Sequence, residues 1–376
     1  MYHKSICFVI PRFLTTGIAG AELQVYFLSE QLVREGWTVE ILSRDTCPNN
    51  KLTASEYYNP RITYYCYKKS YFRSLEFVKV LWKLFRTKSS YYYQRTDFSL
   101  TGAVAFYCKL FRNKKFIYAT SLDSCVLRSR YSGNEENNSR KNSLTTFIRK
   151  WDMILVDRMV EYGKKHADLR LCQSDYQRNE MMKNLGLDSM VLRNSFVFPD
   201  HSPVSKENIV IWVGNCRPAK QPELFLRLAD QFRNSSWKFV MIGNADETYR
   251  PKINKLKQEN FSFLGPLPYD TTTGWFKKAK IIVNTSKVEG FPNTFIQAWL
   301  YRVLVMSLQS DPDDLLVNKG LGFCAKGDLE VLIQRMEQCI NNDIDTAALE
   351  AAYTFALREF DIKSNTDKLL SMLENL

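Results

Sequence analysis

The feature that most constrains the fold is an alternation that runs through the chain twice. Short apolar segments are each followed by a stretch of helical periodicity. In the first half, Ser5–Ile10, Thr38–Leu42, Ser90–Gln94, Lys115–Ala119 and Leu169–Gln173 read as strands. Ala21–Glu35 reads as a helix, with Leu23, Phe27, Leu28, Leu32 and Val33 on one face and Gly36 as its stop. After the Pro-containing polar stretch from Phe198 to Asn208, the pattern resumes with Ile209–Val213, Phe239–Gly243, Ser262–Gly265 and Ile281–Val283. Apolar runs joined by helices make parallel sheets covered on both faces. A length of 376 residues fits two such α/β domains, here 1–198 and 209–355 around a linker at 199–208.

The most informative stretch is AKIIVNTSKVEGFPNTFIQAWLYRVLV, residues 279–305. A strand is followed by the polar turn Asn284-Thr285-Ser286, then Glu289, Gly290, Phe291 and Pro292, and a helix that starts near Asn293. Gly290 frees the backbone for close approach, and Pro292 suits a first helical turn, where its missing N–H costs nothing. The open helix end carries unpaired N–H groups and partial positive charge, which suits a phosphate. Glu289 and Gln297 can both face a ligand lying across that end. The same residues would also suit a strand–loop–helix corner of any α/β protein.

EGFPNTFIQAW resembles the signature of the large retaining glycosyltransferase family four, a Glu, seven residues and a second Glu. The resemblance puts Glu289 on the donor sugar and places Gln297, in the position of the second Glu, on the nucleotide ribose. It extends along the chain. Ala19-Gly20-Ala21-Glu22 is similar to the G-G-A-E pattern before the first helix, which implies that Gly20 approaches the donor phosphates. Gly17-x-x-Gly20 does not meet G-x-G-x-x-G, and a plain strand-to-helix loop is the other reading. Gly214 to Lys220 resembles G-R-x-x-x-x-K, whose Arg and Lys clamp the donor diphosphate. Lys220 matches, Asn215 stands where the Arg belongs, and Arg217 is near enough to substitute. Gly290, Phe291 and Asn293 complete the implied diphosphate site. Asp123 follows a strand where relatives carry a His or Asp near the acceptor. Arg302 and Leu304 depart from the usual Gly and Pro.

The fold implied is GT-B, two Rossmann-like domains facing a central cleft, with 356–376 as a helix crossing back to the first domain. The activity implied is metal-independent transfer of a sugar, with retention, from a nucleotide-sugar donor to a glycan or lipid-linked acceptor in polysaccharide or glycoconjugate synthesis. No cofactor is expected. Two other functions suit such a chain. A nucleotide-sugar 2-epimerase would need more acid–base residues than three His supply. A non-catalytic scaffold would explain Asn215, Gln297, Arg302 and Leu304.

Charge adds a partner. Residues 51–150 hold 20 Lys and Arg against 6 Asp and Glu, a basic surface. Within it Tyr71–Lys88 is amphipathic, with Leu75, Val78, Leu81, Trp82 and Phe85 at helical spacing. Such a stripe packs a helix on a sheet, or lays it on an anionic membrane. The expectation is peripheral contact with a membrane through 51–150, and no nucleic acid. Nine Cys without C-x-x-C spacing, and no zinc signature among three His, argue against a metal site and for unpaired thiols in a reducing cytoplasm. Ser129–Ser143, polar and Asn-rich, reads as a surface loop.

Overall fold

The apolar runs become parallel strands in two separate sheets. The computed structural model describes residues 4–13, 20–46, 50–133, 144–198, 205–342 and 344–376. They form two units, Met1–Phe196 with Ile362–Leu376, and Val197–Asp361. Gly17 and Ala19 of the loop before the first helix, the core of the linker and most of Ser129–Ser143 lie outside the described residues.

The first unit holds β1 (Ser5–Val9), α1 (Gly20–Arg34), β2 (Thr38–Ser43), α2 (Asn50–Thr53), β3 (Thr63–Cys66), α3 (Leu75–Leu84) and β4 (Tyr91–Arg95). It continues with α4 (Ser99–Leu110), β5 (Lys115–Ala119), α5 (Leu144–Lys165), β6 (Leu169–Cys172), α6 (Asp175–Leu185) and β7 (Met190–Val191). Its sheet runs β3-β2-β1-β4-β5-β6-β7 with every pairing parallel. The helix ends follow local chemistry. The Ser174 hydroxyl accepts from the Gln177 amide to start α6, and Gly186, at φ 67°, ends it.

The second unit holds β8 (Glu207–Val213), α7 (Pro222–Gln231), β9 (Lys238–Ile242), α8 (Arg250–Lys255), β10 (Phe261–Gly265), α9 (Tyr269–Lys278) and β11 (Ala279–Asn284). Then come α10 (Asn293–Leu300), β12 (Leu304–Ser307), α11 (Leu315–Asn318), β13 (Phe323–Cys324), α12 (Leu329–Asn341) and α13 (Thr346–Glu359). Its sheet runs β10-β9-β8-β11-β12-β13, again parallel. The last helix, α14 (Ile362–Glu374), returns to the first unit. The Ile362 amide donates to the Phe196 carbonyl at 3.1 Å, and the Tyr91 hydroxyl to the Leu373 carbonyl at 3.3 Å.

Two expectations fail in instructive ways. Of the α3 stripe only Leu81 packs inward, half-buried against the core. Glu76, Val80 and Leu84 are buried, whereas Leu75, Val78, Trp82 and Phe85 face outward, Trp82 with 68% of its surface exposed. Glu76 can be turned inward because Arg44 reaches it at 2.5 Å and the Ser70 amide donates to it. The cysteines are not all unpaired. Among the described residues seven are free and buried, but Cys66 is disulfide-bonded. No described helix is long and apolar enough to cross a membrane.

Arg302 shows how a position that usually takes Gly accommodates Arg. Its φ is 54°, a left-handed conformation that costs a side chain about 1–2 kcal/mol. The guanidinium stacks 3.6 Å from the Tyr353 ring centroid and pairs with the Glu350 carboxylate, so the strain is offset by a tie between the α10–β12 turn and α13. Gly243 is the opposite case. At φ 141°, a Cβ there would lie 1.8 Å from the Gly214 carbonyl oxygen, so only Gly lets the loops after β8 and β9 meet.

Two stability predictions follow from these backbones. Gly243→Ala should destabilise the second unit by about 3 kcal/mol or more, whereas Gly186→Ala, where a Cβ meets open space, should cost only about 1 kcal/mol. Arg302→Gly should stay within about 1 kcal/mol of the parent, because strain and tie disappear together. Arg302→Ala keeps the strain without the tie and should be the less stable of the pair. Urea denaturation of the full chain measures all four; Arg302→Ala outperforming Arg302→Gly would refute the account of the tie.

Candidate functional site

In an open parallel sheet, the loops at the carboxyl ends of two neighbouring strands diverge where the strand order reverses, and ligands bind there. In the second sheet this point lies between β8 and β11. The loop after β8 is Gly214–Gln221, ending in a 3₁₀ turn at Pro218–Lys220. The loop after β11 runs from Thr285 to Pro292. Direct bonds stitch the two together. The Lys287 amide donates to the Ala219 carbonyl at 2.9 Å, and the Thr285 hydroxyl to the Lys220 carbonyl at 2.6 Å. The buried Trp212 indole N–H anchors that hydroxyl at 2.9 Å.

This stitching brings together the two residues singled out on separate motifs. Lys220 Nζ forms an ion pair with Glu289 Oε1, and Asn284 Nδ2 donates to the same oxygen at 3.4 Å. Glu289 is 9% exposed, so its charge would be costly without this partner. Beside the pair, α10 begins at Asn293 with Pro292 as its N-cap residue and no side chain capping it. A carboxylate, an ammonium and an uncapped helix N-terminus therefore share one corner. An anion placed there meets the helix dipole and a lysine that can leave Glu289 for it.

Other predicted residues of this unit take distinct places. The Phe291 side chain is buried in an aromatic cluster, with its ring 6.3 Å from Trp299 and 5.2 Å from Phe360, so only its backbone is placed to meet a ligand. Gly290 is buried beside it. Gln297 is 6% exposed and hydrogen-bonds the Tyr269 hydroxyl, whose pKa burial pushes up. Arg217 is exposed, and among the described residues it has no ion-pair partner. Asn215 ties the β8 and β9 loops, accepting from the Asn244 amide at 3.2 Å, and does not offer the cation that an Arg would. Leu304 is buried at the start of β12. Thr285, Asn284 and Tyr269 complete the corner and were missed by sequence reasoning. Only the polar break after the β11 apolar run pointed to the first two.

Asp123 and Gly20 belong to the first unit. Asp123 opens a 3₁₀ turn after β5, where Gln177 Nε2 donates to it at 2.9 Å. Gln177 is itself fixed by the Thr120 hydroxyl at 2.6 Å and the Gln173 amide at 3.0 Å. Gly20 is the exposed first residue of α1. At this sheet's own reversal point, after β4, lies a buried polar group that the sequence did not announce. Asp97 pairs with Lys164 at 2.9 Å and accepts from the Tyr118 hydroxyl, while Lys164 also donates to the Cys125 carbonyl. Burial, reinforced by Asp97, raises the Tyr118 pKa. These groups are sealed from solvent and brace the loop that carries Asp123. Among the described residues, no group of three or more His, Cys, Asp or Glu side chains could hold a metal ion. The Asp311–Asp314 run is spent on a turn in which Asp311 accepts from the Leu316 amide at 2.7 Å.

Residues 207–342, the segment that carries this corner, match the family described as Glycosyl transferases group 1. A curated relative in Campylobacter jejuni is GalNAc-alpha-(1->4)-GalNAc-alpha-(1->3)-diNAcBac-PP-undecaprenol alpha-1,4-N-acetyl-D-galactosaminyltransferase. It is 26% identical over 151 residues, 38% of this chain, and the chain spans 41% of that relative's length. Among solved structures, sucrose-phosphate synthase from Thermosynechococcus elongatus superposes with a TM-score of 0.75 at 13% identity, covering 99% of this chain and 98% of its own. Anabaena HepE in complex with UDP and glucose gives 0.71 at 16% identity, covering 99% of both chains. The chain thus has the GT-B fold, and its segment 207–342 is similar to the glycosyl transferases group 1 family.

Proposed function

We propose that the protein transfers a sugar from a nucleoside-diphosphate sugar to a lipid-linked or glycan acceptor, with retention at the anomeric carbon. The observation that carries this reading is the Lys220–Glu289 pair beside the uncapped start of α10, at the reversal point of the second sheet. When the bond from the sugar's anomeric carbon to the diphosphate breaks, negative charge builds on the departing phosphate. Lys220, Arg217 and the α10 N-terminus, with the backbone of Gly290, Phe291 and Asn293, would hold that charge without a metal ion. Glu289 would face the sugar, and Gln297 the ribose. Asp123 and Gly20 would serve from the first unit. HepE binds UDP, so uridine nucleotides are the first donors to try. The Campylobacter relative's name includes an undecaprenol-linked substrate, which supports an acceptor at a membrane surface. The basic segment 51–150 suits that location.

The departures from the family pattern do not favour an inert scaffold. Asn215 and Arg302 each make a specific tie that holds the corner's surroundings, and Lys220 and Glu289 are both retained. An epimerase would need further acid–base groups, and the corner's described residues include no His.

Lys220→Ala should weaken binding of the free nucleoside diphosphate about tenfold or more, the worth of a charge-assisted contact. Glu289→Ala should retain that binding but abolish transfer, with transfer by the parent surviving a chelator. Calorimetry and release of nucleoside diphosphate in the presence of acceptor read these out. Unchanged affinity in Lys220→Ala would place the diphosphate elsewhere, and near-parental turnover in Glu289→Ala would remove that residue from the site.

A further inference from the structure

The outward stripe on α3 belongs to a larger apolar surface. Phe85, at the end of α3, lies 6.0 Å from Phe111, which follows α4, and both are exposed. At the other end of α3, Phe72 shares a groove of about 470 Å³ with Ile148, Trp151 and Leu155 of α5. Val78 and Trp82 lie between, so exposed apolar side chains run from α5 across α3 to α4. Trp151 is 58% and Val78 62% exposed. Patches of this kind are rare on a free surface and mark a partner.

The charges identify the partner. The acids on these helices, as far as Asp157, are turned inward. Glu76 pairs with Arg44, Asp152 accepts from the Arg73 and Ser74 amides at 2.9 and 3.0 Å, and Asp157 accepts from the Tyr131 and Ser132 amides. The exposed charges are cations, among them Lys79, Arg86, Lys109, Arg112, Arg149 and Lys150. Cations around Trp, Phe, Val, Ile and Leu suit a surface that is anionic on top and hydrocarbon beneath. A nucleic acid offers no partner for Val78, Ile148 or Leu155. A second copy of this face would set cations against cations.

We infer that α3, α4 and the described N-terminal half of α5 form a face that inserts its aromatic side chains into an anionic lipid bilayer. The inference deepens the reading of a membrane-surface transferase and rests on it only for its purpose. Partitioning of the full chain onto phosphatidylcholine vesicles, with and without phosphatidylglycerol, tests it at low and high salt. Anionic vesicles should bind more strongly, and part of that binding should survive high salt. Trp82→Ser and Trp151→Ser should each lower partitioning about tenfold, whereas Val331→Ser, an exposed apolar residue of the second unit, should not. Each variant should keep the parent's thermal midpoint and its affinity for UDP. Tryptophan variants that partition like the parent, binding that salt abolishes entirely, or preferential binding of duplex DNA would each overturn the inference. Vesicle binding without UDP binding would keep this face and defeat the donor reading, and the reverse result would do the opposite.

Discussion

The reversal of strand order between β8 and β11 is the constraint on which the site depends. Crossovers leave these two neighbouring strands in opposite directions, so their loops part and leave backbone groups unpaired by the sheet. The chain closes the base of that gap with Thr285, Lys287 and Trp212 and leaves its rim to Lys220 and Glu289. The stitching makes the charged pair possible, because each member stands on a loop that alone would not hold it. Gly243 extends the same logic to the next loop, bringing backbone against backbone where any side chain would collide.

A nearly buried carboxylate beside an ammonium is a poor source of stability, since desolvating both ions offsets most of their attraction. Its value lies in being rearranged. A diphosphate carries more charge than one carboxylate and can draw both the lysine and the helix dipole. Asn284 remains to hold Glu289 when Lys220 turns away. Under the proposed function the corner would have two ways of being satisfied, one internal and one with an anion.

Most strands were legible because parallel strands buried on both faces are apolar throughout, as at Lys115–Ala119, whereas β3, β7, β12 and β13, two to four residues long, were not read from the sequence. The pairing of Lys220 with Glu289 was legible only as two motifs, since no local pattern says that residues 69 positions apart will touch. Tyr269 and the Asp97–Lys164 group left no signal at all: their meaning arises from packing between distant elements. The α3 stripe was legible and ambiguous. Periodicity reveals that a helix has an apolar face but not which way it points. Here Val80 and Leu84 pack inward with Phe77 and Leu81 against the core and Glu76 neutralised by Arg44, while Leu75, Val78 and Trp82 face out.

That inversion bears on the uneven charge of the chain. Residues 201–376 carry equal numbers of acidic and basic side chains, although this half holds the proposed anion corner. The proposed diphosphate site would need only one or two well-placed cations and a helix end. The excess of residues 51–150 is not explained by the proposed donor site, and part of it lies on or beside helices whose acids are consumed internally. An excess of one sign on a surface destabilises a compact fold through self-repulsion. Exposed Trp and Phe add a second cost, apolar surface left in water. Both costs would fall against the environment inferred above, a negatively charged interface with hydrocarbon below it, and the exposed apolar side chains and part of the cations share the same three helices.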